Sequence, residues 1–386
     1  MRQGFADFPD AIAVKLLCAA LAAVGAVSAQ SSVTMYGRID MGWGMATTKA
    51  ANGAQDKTTG LVDGVQTSNA IGFRGTEDLG GGLTAGFNLE QGISPTQAGG
   101  WNQRLGSSAH QVAGGGAIIS NTMRAGNVSL NTKNMGSLTL GTIQWSAGYT
   151  VASRWGFFAE GFGGEAHTTM PARITGVSYT TPAMSGVTVT LQHGGAHGNR
   201  TDRESAADAA DGFRKNKEAR TGINAQYNAG PLYLGAAYES TSVNKIGNAA
   251  AGTNAYGGTV AAGATAARTE NAWTIAANYD LGVAVLRGMI VERDNGAATA
   301  VKTSGRGLSV AVPMGALTLQ AAVQTIEVQT GTATTSDISG HQLTARYNLS
   351  KRTNVYMHYG TDKDSKAAAT AQGKRTRTVA GVVHTF

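Results

Sequence analysis

Hydrophobic and polar residues alternate along most of the chain beyond residue 30. The alternation is clearest at 33–41, where Val, Met and Ile take most of the alternate places, and it recurs at 83–90, 187–192, 273–280 and 317–320. Successive side chains of a β-strand point to opposite faces, so this period of two predicts strands. No stretch after residue 29 has the ~20 consecutive apolar residues that a membrane-spanning helix needs.

Sixteen such segments can be placed along the chain, and bacterial single-chain membrane barrels have an even number of strands. Their predicted bounds are 32–43, 68–78, 82–92, 122–132, 136–143, 173–182, 185–194, 220–228, 231–242, 270–281, 283–293, 304–313, 315–328, 338–349, 353–361 and 375–386. An unpaired strand edge is not tolerated in lipid, so the last strand is expected to close against the first.

The connections between these strands alternate strictly between short and long. The short ones are 78–81, 133–135, 182–184, 229–230, 281–282, 313–314 and 350–352, and the long ones include 44–67, 93–121, 144–172, 195–219 and 243–269. Short turns at one rim and long loops at the other are typical of an outer-membrane barrel. A soluble β-sandwich also shows alternating strands, but it has no reason to alternate its loops in this way. We therefore predict an all-β protein, a 16-stranded antiparallel transmembrane β-barrel over residues 30–386.

Residues 1–29 have the features of a secretory signal peptide. Lys15 precedes an apolar core at 16–27, and the small residues of 27–29 supply a cleavage site. The apolar core is too short for the alternative, a transmembrane anchor. The chain is therefore expected to be exported through the periplasm after the signal is cleaved, and residues 30–386 form the mature protein.

Composition narrows the classes of function. The chain's single cysteine, Cys18, lies in the signal segment, and Leu17 stands where a lipoprotein would need a small residue. The mature protein then has no disulfide, no thiolate metal site and no cysteine nucleophile. Glycine occurs 54 times, proline 6 times, and the net charge is +7. In an exported chain this basic excess favours attraction of anions or of the acidic membrane surface over nucleic-acid binding.

Five segments resemble the general porins of β-proteobacteria. The first strand at 32–40 (SVTMYGRID) resembles that family's first strand, and 71–83 (IGFRGTEDLGGGL) is the most specific match. The segments 136–141, 347–353 and 382–386 resemble the fifth strand, the last short turn and the terminal signature. The matches span the mature chain, although the long loops do not match.

The resemblance implies an outer-membrane homotrimer that lets small hydrophilic solutes and ions diffuse through a water-filled channel. Its partners would be outer-membrane lipid, lipopolysaccharide and the barrel-assembly machinery, which in the family reads the terminal residue, here Phe386. The resemblance also implies a third long loop, 144–172, folded inward to narrow the pore. The large aromatic side chains of that loop, unfavourable on a free surface, agree with inward folding; they are Trp145, Tyr149, Trp155, Phe157, Phe158 and Phe162. The alternative for this segment is an ordinary exposed loop.

Strand parity places charged side chains on the lumen face. Arg38 and Asp40 fall on that face of the first strand, and Arg74 on that of the second. Further inward candidates are Glu90, Glu239, Asp280, Arg287, Arg293 and Arg346. Any of the arginines can alternatively form a structural ion pair across the wall, with no influence on the choice of solute. A basic excess at a narrow point attracts anions, which leads to a hypothesis of mild anion selectivity.

The resemblance assigns Arg38, Arg74 and Arg124 to a basic cluster at the constriction, with Glu160 or Glu165 of the inward loop opposite. Arg124 has the parity of lipid-facing residues, so it needs a bulge or a position at the rim. Thr142 stands where the family usually has an arginine, so the cluster can be one charge short.

Other classes of function find little support. The seven histidines form no zinc-protease motif, no nucleophile elbow is present, and His193 with His197 is a weak metal site. We expect no catalysis, no metal, no cofactor and no nucleic-acid partner. An adhesin would need a passenger region, and none is evident. The main alternative is a substrate-specific channel for a sugar or an anion, with the aromatic loop as its constriction.

Overall fold

The structure is a computed structural model, and it shows a closed antiparallel β-barrel. It describes residues 32–96, 119–156, 166, 170, 173–196, 216–245, 252–253, 259–260, 268–369 and 372–386. The predicted signal segment lies outside these residues.

Sixteen strands form the barrel, and a further strand, β2, joins its sheet from the first loop. The strands are β1 Ser32–Ala50, β2 Gln55–Asp63, β3 Ala70–Gly80, β4 Leu83–Ile93, β5 Ile119–Thr132, β6 Gly136–Ile143, β7 Ile174–Thr180, β8 Val187–Ala196, β9 Asn216–Ala229, β10 Leu232–Lys245, β11 Gly252–Thr253, β12 Thr259–Val260, β13 Arg268–Asp280, β14 Val285–Asp294, β15 Val301–Met314, β16 Leu317–Thr330, β17 Ala333–Asn348, β18 Thr353–Asp364 and β19 Gln372–Thr385. The short β11 and β12 pair only with each other. The predicted count of sixteen barrel strands is confirmed.

The barrel closes where the sequence predicts. β1 pairs antiparallel with β19, from Arg38 opposite Thr385 to Lys49 opposite Lys374. The terminal residue extends this ladder, because Gly37 and Phe386 exchange both backbone hydrogen bonds, at 3.0 and 3.1 Å. Closure leaves no unpaired edge at the seam between the first and last strands.

The predicted connections need correction at the long-loop rim. β1 continues to Ala50 and β2 returns beside it, so the predicted loop 44–67 is mostly a strand hairpin. Later in the chain, three connections at the same rim are short, at 295–300, 331–332 and 365–371. The strict alternation of loop sizes is therefore wrong for the last third of the chain. Strand ends that project beyond the lipid need no apolar face. Their sequences therefore lack the alternation of apolar and polar residues from which strands were predicted.

The wall has an apolar outer face and a polar inner face. Large apolar side chains that are exposed on the outside include Val33, Met35, Trp43, Phe73, Val128, Leu140, Ile275, Leu308, Leu343 and Met357. A soluble monomer rarely exposes so much contiguous apolar surface, whereas a barrel in lipid requires it. No helix in the described part of the chain is long and apolar enough to cross a membrane.

The described part of the third long loop folds into the barrel, as predicted. Helix α1, Ala147–Ala152, and the 3₁₀ turn Ser153–Trp155 pack against the inner faces of β9, β10, β13, β14 and β15. Trp155 is fully buried, and a Cβ at Gly307 would lie 2.5 Å from its ring. The glycine on the wall therefore makes room for the indole. Phe157, Phe158 and Phe162 lie outside the described residues.

A second inward feature lies on another part of the wall and was not predicted. The chain turns into the lumen after β2, and Val62 at the end of β2 and Val65 just after it pack against Tyr356, Val379 and Val383. Two packed features, α1 and this inward turn, therefore narrow the channel.

Candidate constriction of the channel

One buried carboxylate organises the polar residues near the first strands. Glu90 on β4 points inward and is 3% exposed. Its Oε1 accepts from Arg124 Nε at 2.5 Å, Arg38 Nη2 at 3.0 Å and Gln144 Nε2 at 3.2 Å. Its Oε2 accepts from the Tyr36 hydroxyl at 3.0 Å. We call these five residues the Glu90 cluster.

A β-bulge brings Arg124 into this cluster. On β4, the consecutive residues Glu90 and Gln91 pair with Ala125 and Met123 of β5, so Arg124 has no partner in the ladder. The extra residue reverses the local parity, and the Arg124 side chain turns inward instead of toward lipid. The sequence required a bulge or a rim position here, and the structure has the bulge.

Arg74 lies beside the cluster without joining its ion pairs. Its guanidinium carbon is 5.0 Å from the centre of the Tyr36 ring, and its side chain is exposed to the lumen. No acidic partner of Arg74 is found within the described ranges. The structure thus brings together Arg38, Arg74 and Arg124, the three arginines that the resemblance assigns to the constriction. Three guanidiniums beside one carboxylate leave two positive charges, one of them unpaired and accessible.

Asp40 points inward as predicted, but it does not face open water. It is fully buried, and its Oδ2 accepts the backbone N–H groups of Gln66 and Thr67 at 2.6 and 2.8 Å. Its Oδ1 accepts the Tyr356 hydroxyl at 2.5 Å. The assignment of Asp40 to the lining of the constriction is therefore wrong, because its carboxylate instead holds the inward turn after β2 against the wall.

Other inward carboxylates are also bound by arginines. Glu270 and Asp362 lie on the inner face of β13 and β18, and each is within ion-pair distance of two guanidiniums. The pairs are Arg268 and Arg293 with Glu270, both at 2.8 Å, and Arg375 at 2.8 Å and Arg377 at 3.9 Å with Asp362. Each group, like the Glu90 cluster, brings two arginines to one carboxylate.

The remaining predicted inward residues have different surroundings. Glu239 is buried and accepts the Gly148 N–H at 2.6 Å, so it anchors the start of α1. Arg287 and Arg346 point inward and form no ion pair with described residues. Asp280 is exposed at a short turn. Glu160 and Glu165, the predicted opponents of the basic cluster, lie outside the described residues.

The structure also describes Thr142 and His193, two further residues that the sequence singled out. Thr142 has the register of the outward-facing Leu138 and Leu140, and its Oγ1 lies 3.2 Å from Thr175 Oγ1. His193 Nδ1 lies 2.9 Å from Thr221 Oγ1, while His197 is outside the described residues. Across the described ranges, no group of three or more His, Cys, Asp or Glu residues is arranged to hold a metal ion.

The central role of Glu90 and the presence of Gln144 were not predicted. Parity placed Glu90 inside, but nothing in the sequence indicated that Arg38 and Arg124 meet on it. Gln144 precedes α1, so its contact depends on the inward fold of the loop. The opponent of the basic cluster is thus, within the described residues, a carboxylate of the wall.

Comparison with known proteins identifies this channel. A family model described as Gram-negative porin matches residues 17–367. The chain belongs to the Gram-negative porin family. Outer membrane porin protein 32 of Delftia acidovorans is 29% identical to this porin over 374 residues, which cover 91% of this chain and 89% of the relative. An outer membrane porin protein of Bordetella pertussis is 28% identical over 413 residues, which cover 94% of this chain and 99% of the relative.

Solved structures agree on the fold. An anion-selective porin from Comamonas acidovorans superimposes with a TM-score of 0.67 at 22% identity, and the match covers 92% of this chain and all of that one. The trimer form of OmpT of Vibrio cholerae gives a TM-score of 0.62 at 13% identity, with 92% and 99% coverage. The protein is an outer-membrane porin whose 16-stranded barrel forms a water-filled channel for passive transport.

Proposed function

We propose that this porin is a general diffusion channel with a mild preference for anions. The observation that carries the proposal is the charge of the inner wall. The Glu90, Glu270 and Asp362 groups each pair one carboxylate with two arginines, and Arg74 adds an accessible cation at the narrow region. A wall of low dielectric constant focuses the field of this excess charge into the lumen, so anions are concentrated there.

The channel is proposed to act by electrostatics and size, without bond chemistry. A solute meets the exposed Arg74 beside the Glu90 cluster, while α1 on the wall restricts the cross-section. We propose that Glu160 and Glu165 lie opposite the basic cluster and limit the strength of the anion preference, as the family resemblance implies.

A sugar-specific channel remains the alternative, and the described aromatic side chains argue against it. Trp155 is fully buried and Tyr149 is 7% exposed, so both rings pack against the wall. Trp145 is 37% exposed, but its ring is stacked on Tyr149 at 4.7 Å and lies 6.0 Å from the Arg124 guanidinium. These rings stabilise the loop and leave no continuous stacking path for sugars along its described part.

The proposal extends to assembly. We propose that residues 1–29 are removed on export and that Phe386 is read by the barrel-assembly machinery. We further propose that three copies associate, in line with the trimer form of the structural neighbour. Exposed apolar side chains on the outer wall are suited to contact with outer-membrane lipid or with another copy.

The proposal is tested by reversal potentials of the refolded mature protein in a planar bilayer, under about a tenfold KCl gradient. We expect the sign of an anion-selective channel, and a shift toward zero in Arg74→Gln. Arg306→Gln is the matched control, because Arg306 is exposed on the outer wall and loses the same charge. A cation-selective wild type would refute the anion preference. Saturable block by a maltodextrin would favour the sugar channel.

A further inference from the structure

Three arginines lie away from the Glu90 cluster, close to the short-turn rim of the barrel. Arg287 is the third residue of β14, and Arg346 is the third residue from the end of β17. Arg154 reaches the same region from the 3₁₀ turn after α1. Short turns of such barrels face the periplasm, so these residues line the periplasmic part of the lumen. We call them the arginine arc.

Cross-strand pairing and the loop together bring Arg154 and Arg287 to the same part of the inner wall. Tyr233 on β10 lies directly opposite Asn278 on β13, and Asn278 lies directly opposite Arg287 on β14. Such pairs have Cβ atoms about 5 Å apart. The Arg154 guanidinium carbon lies 5.4 Å from the centre of the Tyr233 ring. The loop then passes over Arg287, because a Cβ at Gly156 would lie 2.8 Å from Arg287 Cδ.

The arc holds unused hydrogen-bonding groups and uncompensated charge. Arg287 Nη1, Arg346 Nε and Asn278 Oδ1 are buried and have no hydrogen-bond partner among the described residues. Arg287 and Arg346 both point into the lumen near the short-turn rim, three strands apart along the wall. Asp280, at the short-turn end of neighbouring β13, is exposed and accepts the Gly282 N–H at 2.8 Å. Two like charges with buried free donors are stable together only with a shared anion or with water between them.

We propose that the arginine arc is a second anion site, which binds small anions of two or more charges, such as inorganic phosphate. The inference rests on the proposed anion preference and names the class of anion that the channel would bind most tightly. Guanidinium groups present planar forks of N–H donors that match phosphate oxygens. A divalent anion offsets two guanidiniums at once, and the O–H of a hydrogen phosphate can donate to Asn278 Oδ1. Chloride offers one charge and no donor.

The test is phosphate block of the chloride current through single channels of the full mature protein. We expect phosphate, added on the side of the short turns, to reduce the current in wild type. In Arg287→Gln and Arg346→Gln the half-blocking concentration should rise about tenfold, since each variant loses one charge-assisted contact. Arg287→Lys keeps the charge and loses the fork, so it should lie between wild type and Arg287→Gln. Arg306→Gln should block like wild type.

The outcomes separate this inference from the function on which it rests. The arc is overturned as an anion site if phosphate does not block wild type, or if it blocks Arg287→Gln and Arg346→Gln at the wild-type concentration. Either result counts against the arc even when KCl reversal potentials show anion preference. A cation-selective wild type refutes the proposed function itself. A circular-dichroism spectrum that matches wild type shows that each refolded variant has formed the barrel, so weakened block reports on the site.

Discussion

At the scale of single residues, three carboxylates of the inner wall each form ion pairs with two arginines. Glu90 is nearly fully buried, and two guanidiniums and a tyrosine hydroxyl contact it. A buried carboxylate is stable only when it is paired and hydrogen-bonded, and each of these carboxylates is contacted by two arginines. The carboxylates therefore hold the arginines in place on the inner wall.

Loss of the Glu90 charge is expected to lower the stability of the barrel and to raise its anion preference. In Glu90→Gln, Arg38 and Arg124 lose their counter-charge and repel each other, so the free energy of unfolding should fall by about 3 kcal/mol. The anion preference in KCl should rise, because the narrow region gains one positive charge. Urea unfolding and reversal potentials measure the two effects.

The control for this variant is Glu77→Gln, since Glu77 is exposed near the short-turn rim. It should change neither quantity beyond about 0.5 kcal/mol or the scatter of the potentials. Weaker anion preference in Glu90→Gln would contradict the assignment of Glu90 as a fixed counter-charge.

Residue parity was sufficient to place Arg38, Arg74 and Glu90 inside, because a strand alternates its faces regularly. It was insufficient for Arg124 and Asp40. The inward turn of Arg124 depends on a bulge, which is a property of the pairing between two strands and has no signature in one of them. The burial of Asp40 depends on the fold of residues 64–69, whose apolar content is too small to predict an inward turn.

At the scale of elements, α1 is held on the wall by one indole and one carboxylate. Trp155 fills the space above Gly307, and its carbonyl accepts the Ser309 hydroxyl at 2.5 Å. Glu239 accepts the Gly148 N–H at the start of the helix. A six-residue helix has little stability of its own, so these contacts determine where it lies.

Removal of the indole should therefore release the loop. Trp155→Ala is expected to cost about 3–5 kcal/mol of unfolding free energy and to raise open-channel current noise. Larger neutral solutes should also enter, as measured by the exclusion of polyethylene glycols of graded size from the open channel. Trp43→Ala removes an exposed indole from the outer wall and should leave the exclusion size unchanged. An unchanged exclusion size in Trp155→Ala would mean that α1 does not limit the cross-section.

The strands themselves were predictable because each needs an apolar outer face within the lipid. The extension of β1 to Ala50 and the hairpin with β2 were not, since residues 46–50 are small or polar. The inward loop was predicted from the family resemblance, and its aromatic content agreed with that prediction; the fully buried Trp155 is one of these aromatic residues.

At the scale of the whole molecule, the position of the positive charges along the channel matters more than their number. The +7 net charge alone does not say whether cations lie in loops or in the lumen. The Glu90 cluster lies at the proposed constriction and the arginine arc lies nearer the short-turn rim, so an anion that passes inward meets both. The closed barrel keeps these charges in a narrow space with a low-dielectric wall, where their effect on small ions is greatest.

Ionic strength then distinguishes a channel that selects by charge from one that selects by size. The Debye length is about 10 Å at 0.1 M salt and about 3 Å at 1 M, so mobile ions at high salt screen the lumen charges across most of the pore. The ratio of chloride to potassium permeability should therefore fall toward unity as KCl is raised from about 0.1 M to about 1 M. Arg74→Gln should flatten this dependence because it removes the accessible charge of the narrow region. A ratio that stays constant over this range would show that steric exclusion, and not the arginine excess, determines which solutes pass.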